Sequence, residues 1–253
     1  MESAGDSNRI VRNMRRVAAF LGLDNDNLHI DILYGTVKVS YSDESHSFSR
    51  FAHSDKNTIN MKVLADVSQL SWKAIREDES IKSFERKLDD PTLVKPDYPA
   101  WMVILGAAMG SGGFSVLFGG DWPSFIPAAI SGFVGFSVRY FLLSNRFNFY
   151  MVTALTAFLA TLTAWLMFLI LPEGFTQCPY HSFLCCALFL VPGVALINFL
   201  DDMLDNYLLV GLARLGNAAL QIASMTFGIV LAVSVCGVTN FLGNLSMHPI
   251  ISY

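Results

Sequence analysis

Between Leu190 and Asn206 the chain reads LVPGVALINFLDDMLDN, and a GLAR motif follows that ends at Arg214. An apolar run is interrupted at Pro192 and Gly193 and then gains Asn198, Asp201, Asp202 and Asp205. Proline removes a backbone donor and clashes with the preceding turn, and glycine loosens the chain at that point. Backbone groups freed in hydrocarbon must be buried in protein or line a wet cavity. A short span broken by Pro and Gly therefore points to a binding site of the transporter kind; a kink that serves packing is the other account. On a helix, Asn198 and Asp202 share one face, and Asp201 and Asp205 share the neighbouring one. Acids at that place suit a solvated helix end. They equally suit proton carriage, because a partly desolvated carboxylate beside another acid holds its proton more tightly. Arg214 is placed to be their counter-ion or to bind a substrate carboxylate.

The same acids spell a DDxxD pattern, of the sort with which intramembrane prenyltransferases hold Mg²⁺ on a diphosphate, and Mg²⁺ does take carboxylate oxygens. That chemistry asks for a second acidic cluster and for basic residues on the diphosphate. The apolar part of the chain offers only isolated Asp121 and Glu173, so no enzyme activity, metal or cofactor is expected. His29, His46 and His53 have no Cys or carboxylate at ligand spacing and read as surface or loop histidines. Cys178, Cys185, Cys186 and Cys236 form no CxxC pair, and the adjacent Cys185 and Cys186 read as small apolar filler.

The elements that must position these residues follow from composition. The chain has 253 residues, 53% hydrophobic and 15% charged, which fits an integral membrane protein. Of 17 Lys and Arg, only Arg139, Arg146 and Arg214 follow residue 100, and no lysine follows Lys95. The net charge of −4, with no basic cluster in the apolar half, argues against nucleic acid as a partner. The expected organisation is a cytoplasmic α+β domain over residues 1–95 and a membrane domain over 96–253, joined near Pro91 to Pro99. The N-terminus, MESAGDSNRIVRNMRR, is polar and shows no cleavable signal peptide.

In the first part, Ile10, Met14, Val17 and Leu21 recur at helical spacing and Gly22 ends the helix. LHIDILYGTVKVSY alternates and predicts a β-hairpin turning at Gly35. Ile59, Val63, Val67, Leu70 and Ala74 predict a second helix. Ile81, Phe84 and Leu88 predict a third, ended before Pro91. In the second part a span needs about 20 mostly apolar residues. Five candidates meet this: about Trp101–Gly119, Pro123–Leu143, Phe149–Leu171, Phe183–Leu200 and Gly216–Phe241. Arg139 falls near the end of the second and can snorkel. The second-to-third connection carries Arg139 and Arg146, the fourth-to-fifth carries Arg214, and the other loops carry only Asp121 and Glu173. Basic loops stay inside, so the N-terminus is expected in the cytoplasm and the C-terminus outside.

Gly106 and Gly110 stand at GxxxG spacing in the first span, and Ser131 and Gly135 at small-xxx-small spacing in the second. They serve close packing of helices within this chain or against another subunit. Thr153, Thr156 and Thr163 lie in the third span, where hydroxyls bond back to their own helix.

The ordered set Pro192-Gly193, Asn198, Asp202 and GLAR at Gly211–Arg214 resembles the threonine/serine exporter family, specifically its N-terminal five-span half. ESAGDSNRIVRNMRRVAAFLGL and INMKVLADVSQLSWKAI resemble that family's cytoplasmic segments, so the likeness covers nearly the whole chain. Two positions depart from it. Asp201 stands where the family has a basic residue, and Asn206-Tyr207 where it often has Gly-Asp. Members also carry a helical segment before ESAG, so the chain is expected to begin inside that helix, by truncation or a misplaced start codon. The resemblance implies proton-driven secondary export of small hydrophilic metabolites, threonine and serine or a dicarboxylate such as succinate, across a bacterial inner membrane. In a split pair associated with dicarboxylate export, this type of chain is the larger subunit. It therefore implies a smaller membrane subunit as partner, besides the substrate, protons and the lipid bilayer; a homo-oligomer is a further arrangement. The alternative, from another class, is a membrane scaffold or regulatory protein whose cytoplasmic domain binds a partner.

Overall fold

The computed structural model describes residues 5–44, 47–53, 60–77, 80–93, 98–172, 174–177 and 179–237. In chain order the helices are α1 (Ser7–Phe20), α2 (Met61–Arg76), α3 (Ile81–Leu88), α4 (Ala100–Leu117), α5 (Phe125–Ser144), α6 (Phe149–Ile170), α7 (Pro179–Cys185), α8 (Gly193–Leu204) and α9 (Leu208–Val235). Strands β1 (Leu28–Leu33), β2 (Thr36–Ser42) and β3 (Ser47–His53) lie between α1 and α2. The chain divides into two compact units: Met1–Pro96 with Gly193–Ala218, and Asp97–Pro192 with Ala219–Tyr253.

In the first unit α1 starts because Asp6 caps it, accepting the N–H of Arg9. The three strands form an antiparallel sheet in the order β1-β2-β3. The turn between β1 and β2 passes through Gly35 at φ 76°, where glycine meets no steric penalty. The register pairs Leu28 with Tyr41, Ile30 with Val39 and Ile32 with Val37, which puts the apolar residues of both strands on the face toward α1. Val11 of α1 packs there with Ile32 and Val37, and Ala18 with Leu28 and Tyr41.

The sequence anticipates this hairpin but not β3. SFSRFAH interleaves polar residues and every one of its seven positions is exposed, so it builds no apolar face for periodicity to reveal. Helices α2 and α3 fall where expected and are capped by Asn60 and Ser80; Ile59 lies outside the described residues. Arg16 ties α1 to α2 by donating to Ser71 Oγ, 2.9 Å. The unit is completed from far along the chain by α8 and the first turns of α9, where Val210 and Tyr207 join Val11, Ile32 and Val37 in one cluster.

Among the described residues four helices are long and apolar enough to cross a membrane: α4, α5 with its preceding turn, α6 and α9. A fifth is counted when His181–Leu190 and Gly193–Leu204 are taken together as one broken span. The class is thus a helical membrane protein with a small sheet near its start.

Two expected spans differ in detail. The run Phe183–Leu200 is not one helix, because the chain passes through a 3₁₀ turn at Leu188–Leu190 and an extended Val191 before Pro192. The last helix begins at Leu208 rather than Gly216. Asn206 takes a left-handed turn (φ 65°) and Tyr207 N–H bonds back to Asp202 O at 2.8 Å, a closed helix end. LLVGLAR contains no proline and only one glycine, which a helix tolerates, so the helix restarts at once and holds Arg214 inside it rather than in a loop. The expected end of this span at Phe241 lies outside the described residues.

Close packing here uses other glycines than the GxxxG pair. A Cβ on Gly135 would stand 2.8 Å from Ala160 Cβ, and one on Gly228 would collide with the carbonyl of Ala154. Gly106 and Gly110 are exposed, and a Cβ on either meets nothing among the described residues. Thr153 and Thr163 do bond back to their helix, to Phe149 O at 2.9 Å and Leu159 O at 2.7 Å. Thr156 Oγ1 is buried with no hydrogen-bond partner among the described residues. Arg139 donates to Thr153 Oγ1 at 3.2 Å and lies over the Phe149 ring.

Candidate functional site

Asn198 and Asp202 are the buried residues of α8, while Asp201 and Asp205 are exposed. The three acids therefore do not converge. Asp202 is fully buried. Its Oδ2 lies 2.8 Å from Arg214 Nε, with side-chain exposures of 1% and 13%. This approach is a charge contact rather than an aligned hydrogen bond. Asp202 Oδ1 accepts the backbone N–H of Ser7 at 2.9 Å, and Arg214 Nη2 donates to the carbonyl of Gly5 at 2.8 Å. The pair is thus enclosed by a backbone donor and acceptor from the start of the chain, which the sequence reading did not anticipate. Nothing local in ESAGDSN signals a partner almost two hundred residues away.

The sequence builds this geometry through the α8–α9 corner. A Cβ at Gly211 would stand 3.1 Å from Met203 Cγ and 3.3 Å from Phe199 O. Glycine at that position lets α9 lie close on α8. Arg214, one turn further along the same face, then reaches Asp202. One more turn on, Asn217 donates to the Tyr34 hydroxyl.

The break at Pro192 is satisfied within the second unit. Leu190 N–H bonds to Ala187 O at 2.9 Å and Val191 N–H to Leu188 O at 3.1 Å. The Leu190 carbonyl accepts from Gln221 Nε2 at 2.7 Å. Pro192 itself is buried and Gly193 exposed. Gln221 is not singled out by the sequence analysis, although an amide in the middle of AALQIASM, within an apolar span, is a visible signal.

Asp121 forms a second polar knot. It accepts from Ser124 N–H at 3.2 Å, Thr176 Oγ1 and Gln177 N–H at 2.9 Å, tying the α4–α5 loop to the α6–α7 loop. Ser124 Oγ meets Ser115 Oγ at 2.8 Å behind it. A cavity of about 220 Å³ opens among Pro127, Ala164, Phe168, Phe175, Thr176 and Ser182, and none of the predicted site residues lines it.

Among the described residues no three His, Cys, Asp or Glu groups gather as a metal site. His53 Nδ1 pairs with Thr36 Oγ1 at 2.9 Å and His29 is exposed. Cys185 and Cys186 are buried. His46, Glu173 and Cys178 lie outside the described residues.

Apolar helices of spanning length, a helix broken inside an apolar run and a buried acid–base pair define a multi-span membrane protein. The chain belongs to the threonine/serine exporter family, whose model, described as "Putative threonine/serine exporter", matches residues 1–236. It is 29% identical over 180 residues to a Klebsiella aerogenes protein named "Probable succinate transporter subunit YjjP", which covers 71% of this chain and 68% of that protein. The Escherichia coli protein of the same name is 28% identical over 179 residues, with the same coverage. A Mycobacterium tuberculosis "Probable threonine/serine exporter" is 28% identical over 187 residues, 73% of this chain but 34% of that longer protein. No solved structure matches the chain.

Proposed function

We propose that this chain is one subunit of a secondary exporter that moves a small hydrophilic metabolite out of the cell at the expense of the proton gradient. The observation that carries this reading is the buried pair between Asp202, on the helix that follows the Pro192–Gly193 break, and Arg214 on the next helix. Arg214 takes a substrate carboxylate. Ionised Asp202 takes the substrate ammonium, and its protonation removes that counter-charge and releases the substrate, so that proton and substrate occupy the pair in turn, as export against proton entry requires. Asn198, on the Asp202 face, hydrogen-bonds the substrate. Pro192 and Gly193 give the broken helix the freedom to open beside the path, and the exposed Asp201 and Asp205 tune the local field.

The two signs of the pair favour a zwitterionic amino acid such as threonine or serine. A dicarboxylate such as succinate, which the names of the two enterobacterial relatives suggest, would bring a second anion beside Asp202 unless that group is protonated. We further propose a smaller membrane subunit as partner, residues 1–95 as a cytoplasmic domain, and an inner-membrane orientation with the N-terminus inside and the C-terminus outside. Impermeant thiol reagent should then label Cys178 in intact cells once the other cysteines are replaced; labelling only after lysis reverses the orientation.

Efflux from proteoliposomes under an imposed pH gradient tests the whole reading. Vesicles loaded with labelled threonine or succinate should lose substrate faster when the outside is made acidic, protons entering as substrate leaves, provided that this chain and its smaller partner are both present. Asp202→Asn should abolish the gradient dependence. Absence of flux of either substrate under any gradient moves the weight to a scaffold whose cytoplasmic domain binds a partner.

A further inference from the structure

We propose that Gly5–Ser7 is a built-in latch, which occupies the Asp202–Arg214 pair as an α-amino acid would and must leave before one binds; this rests on the reading of that pair as the substrate site. The polarity of the contacts carries the inference. Asp202 Oδ1 receives a donor, the Ser7 N–H at 2.9 Å, where a substrate would present its ammonium. Arg214 Nη2 holds an acceptor, the Gly5 carbonyl at 2.8 Å, where a substrate would present its carboxylate. One short backbone stretch thus offers the pair the same donor and acceptor as a free amino acid.

The latch is also detachable. The first turn of α1 does not need Asp202, because Asp6 caps it by accepting from Arg9 N–H at 3.0 Å and pairs with Arg9 Nε at 3.2 Å. The Ser7 hydroxyl, though buried, has no hydrogen-bond partner among the described residues, so departure costs no bond of that side chain. Withdrawal leaves the buried pair without its two backbone partners, and a free zwitterion restores both. The latched state therefore taxes substrate affinity by the fraction of molecules that are open.

Position Ser7 allows a clean test. It is the first residue of α1, where proline is well tolerated, and Asp6 before it is already extended (φ −60°, ψ 151°). Ser7→Pro removes the N–H given to Asp202 and puts ring carbons in its place. Equilibrium binding of labelled L-threonine to the full chain in nanodiscs should tighten about ten- to a hundredfold in Ser7→Pro, the scale of one charge-assisted hydrogen bond. Ser7→Ala, which keeps the N–H, should bind as the wild type. In a background without the four natural cysteines, the thiol of Ser7→Cys should react slowly with maleimide and at least tenfold faster with saturating L-threonine.

Equal affinity of Ser7→Pro and wild type, or a thiol indifferent to threonine, overturns the latch. Loss of threonine binding in the charge-neutral pair Asp202→Asn/Arg214→Gln would then leave the site reading standing. If that double variant still binds threonine as the wild type does, the site reading fails and the latch with it. No binding by any variant, with unchanged thiol reactivity, overturns both.

Discussion

Arg214 Nε stands 2.8 Å from Asp202 Oδ2 where both side chains are almost wholly removed from solvent. A charge in such a place is tolerable only while its partner remains. Arg214→Gln alone should therefore destabilise the protein by about 3–5 kcal/mol, the usual result of stranding a buried charge. Asp202→Asn/Arg214→Gln should recover most of that loss. Thermal unfolding of the detergent-solubilised chain, run as a double-mutant cycle, reads the coupling directly. Additive losses would mean that the two groups do not act as a pair.

Gln221 is the donor that satisfies the Leu190 carbonyl freed at the break. Gln221→Leu keeps the volume and the apolar surroundings but removes that donor. The expected loss is about 1 kcal/mol, since polar contacts between membrane helices are individually modest, together with a lower efflux rate as the break loses its fixed geometry. Gln221→Glu, protonated in an apolar place, retains a donor and should retain more activity. Parallel melting and efflux measurements decide this, and a Gln221→Leu protein indistinguishable from wild type in both would remove the role assigned to Gln221.

The glycines of the spans separate into two kinds. A methyl on Gly228 runs into the Ala154 carbonyl and stands 3.0 Å from Ala157 Cβ, so Gly228→Ala should cost about 1–3 kcal/mol by overpacking. A methyl on Gly106 meets nothing among the described residues. Gly106→Ala should leave the isolated chain unchanged, or stabilise it by up to about 1 kcal/mol through helix propensity. Comparing the two melting temperatures tests the contrast.

Asp121 holds two loops through Ser124, Thr176 and Gln177. Asp121→Ala should loosen the α6–α7 connection at a stability cost of about 1–2 kcal/mol, given that the group is only half-buried. Proteolysis or hydrogen exchange over residues 174–177 should rise in that variant. Protection equal to wild type would show that the knot is not what orders the loop.

Much of the architecture was legible because it follows from local chemistry. Helices α1, α2 and α3 announce themselves through apolar spacing and caps, and the β1–β2 hairpin through alternation and Gly35. The spans announce themselves through length and hydropathy. β3 stayed hidden because an exposed edge strand carries no apolar pattern. The early start of α9 is hidden in the sequence because a lone arginine between apolar runs looks like a loop charge, whereas burial beside Asp202 gives it a reason to sit inside a helix.

For the site, the ingredients are visible in the chain alone: a helix breaker in an apolar run, an amide and an acid one turn apart, and an arginine soon after. So is the shared face of Asn198 and Asp202, since helical periodicity is a local property. Long-range packing sets the rest: which acid is buried, that Gly211 brings Arg214 onto it, that Gln221 answers the broken helix, and that Gly5–Ser7 closes the pair. The physical reason is common to all four. Burial and partnership at these positions come from segments distant in the chain, and a side chain's charge or hydrogen-bonding capacity does not say which of them will arrive.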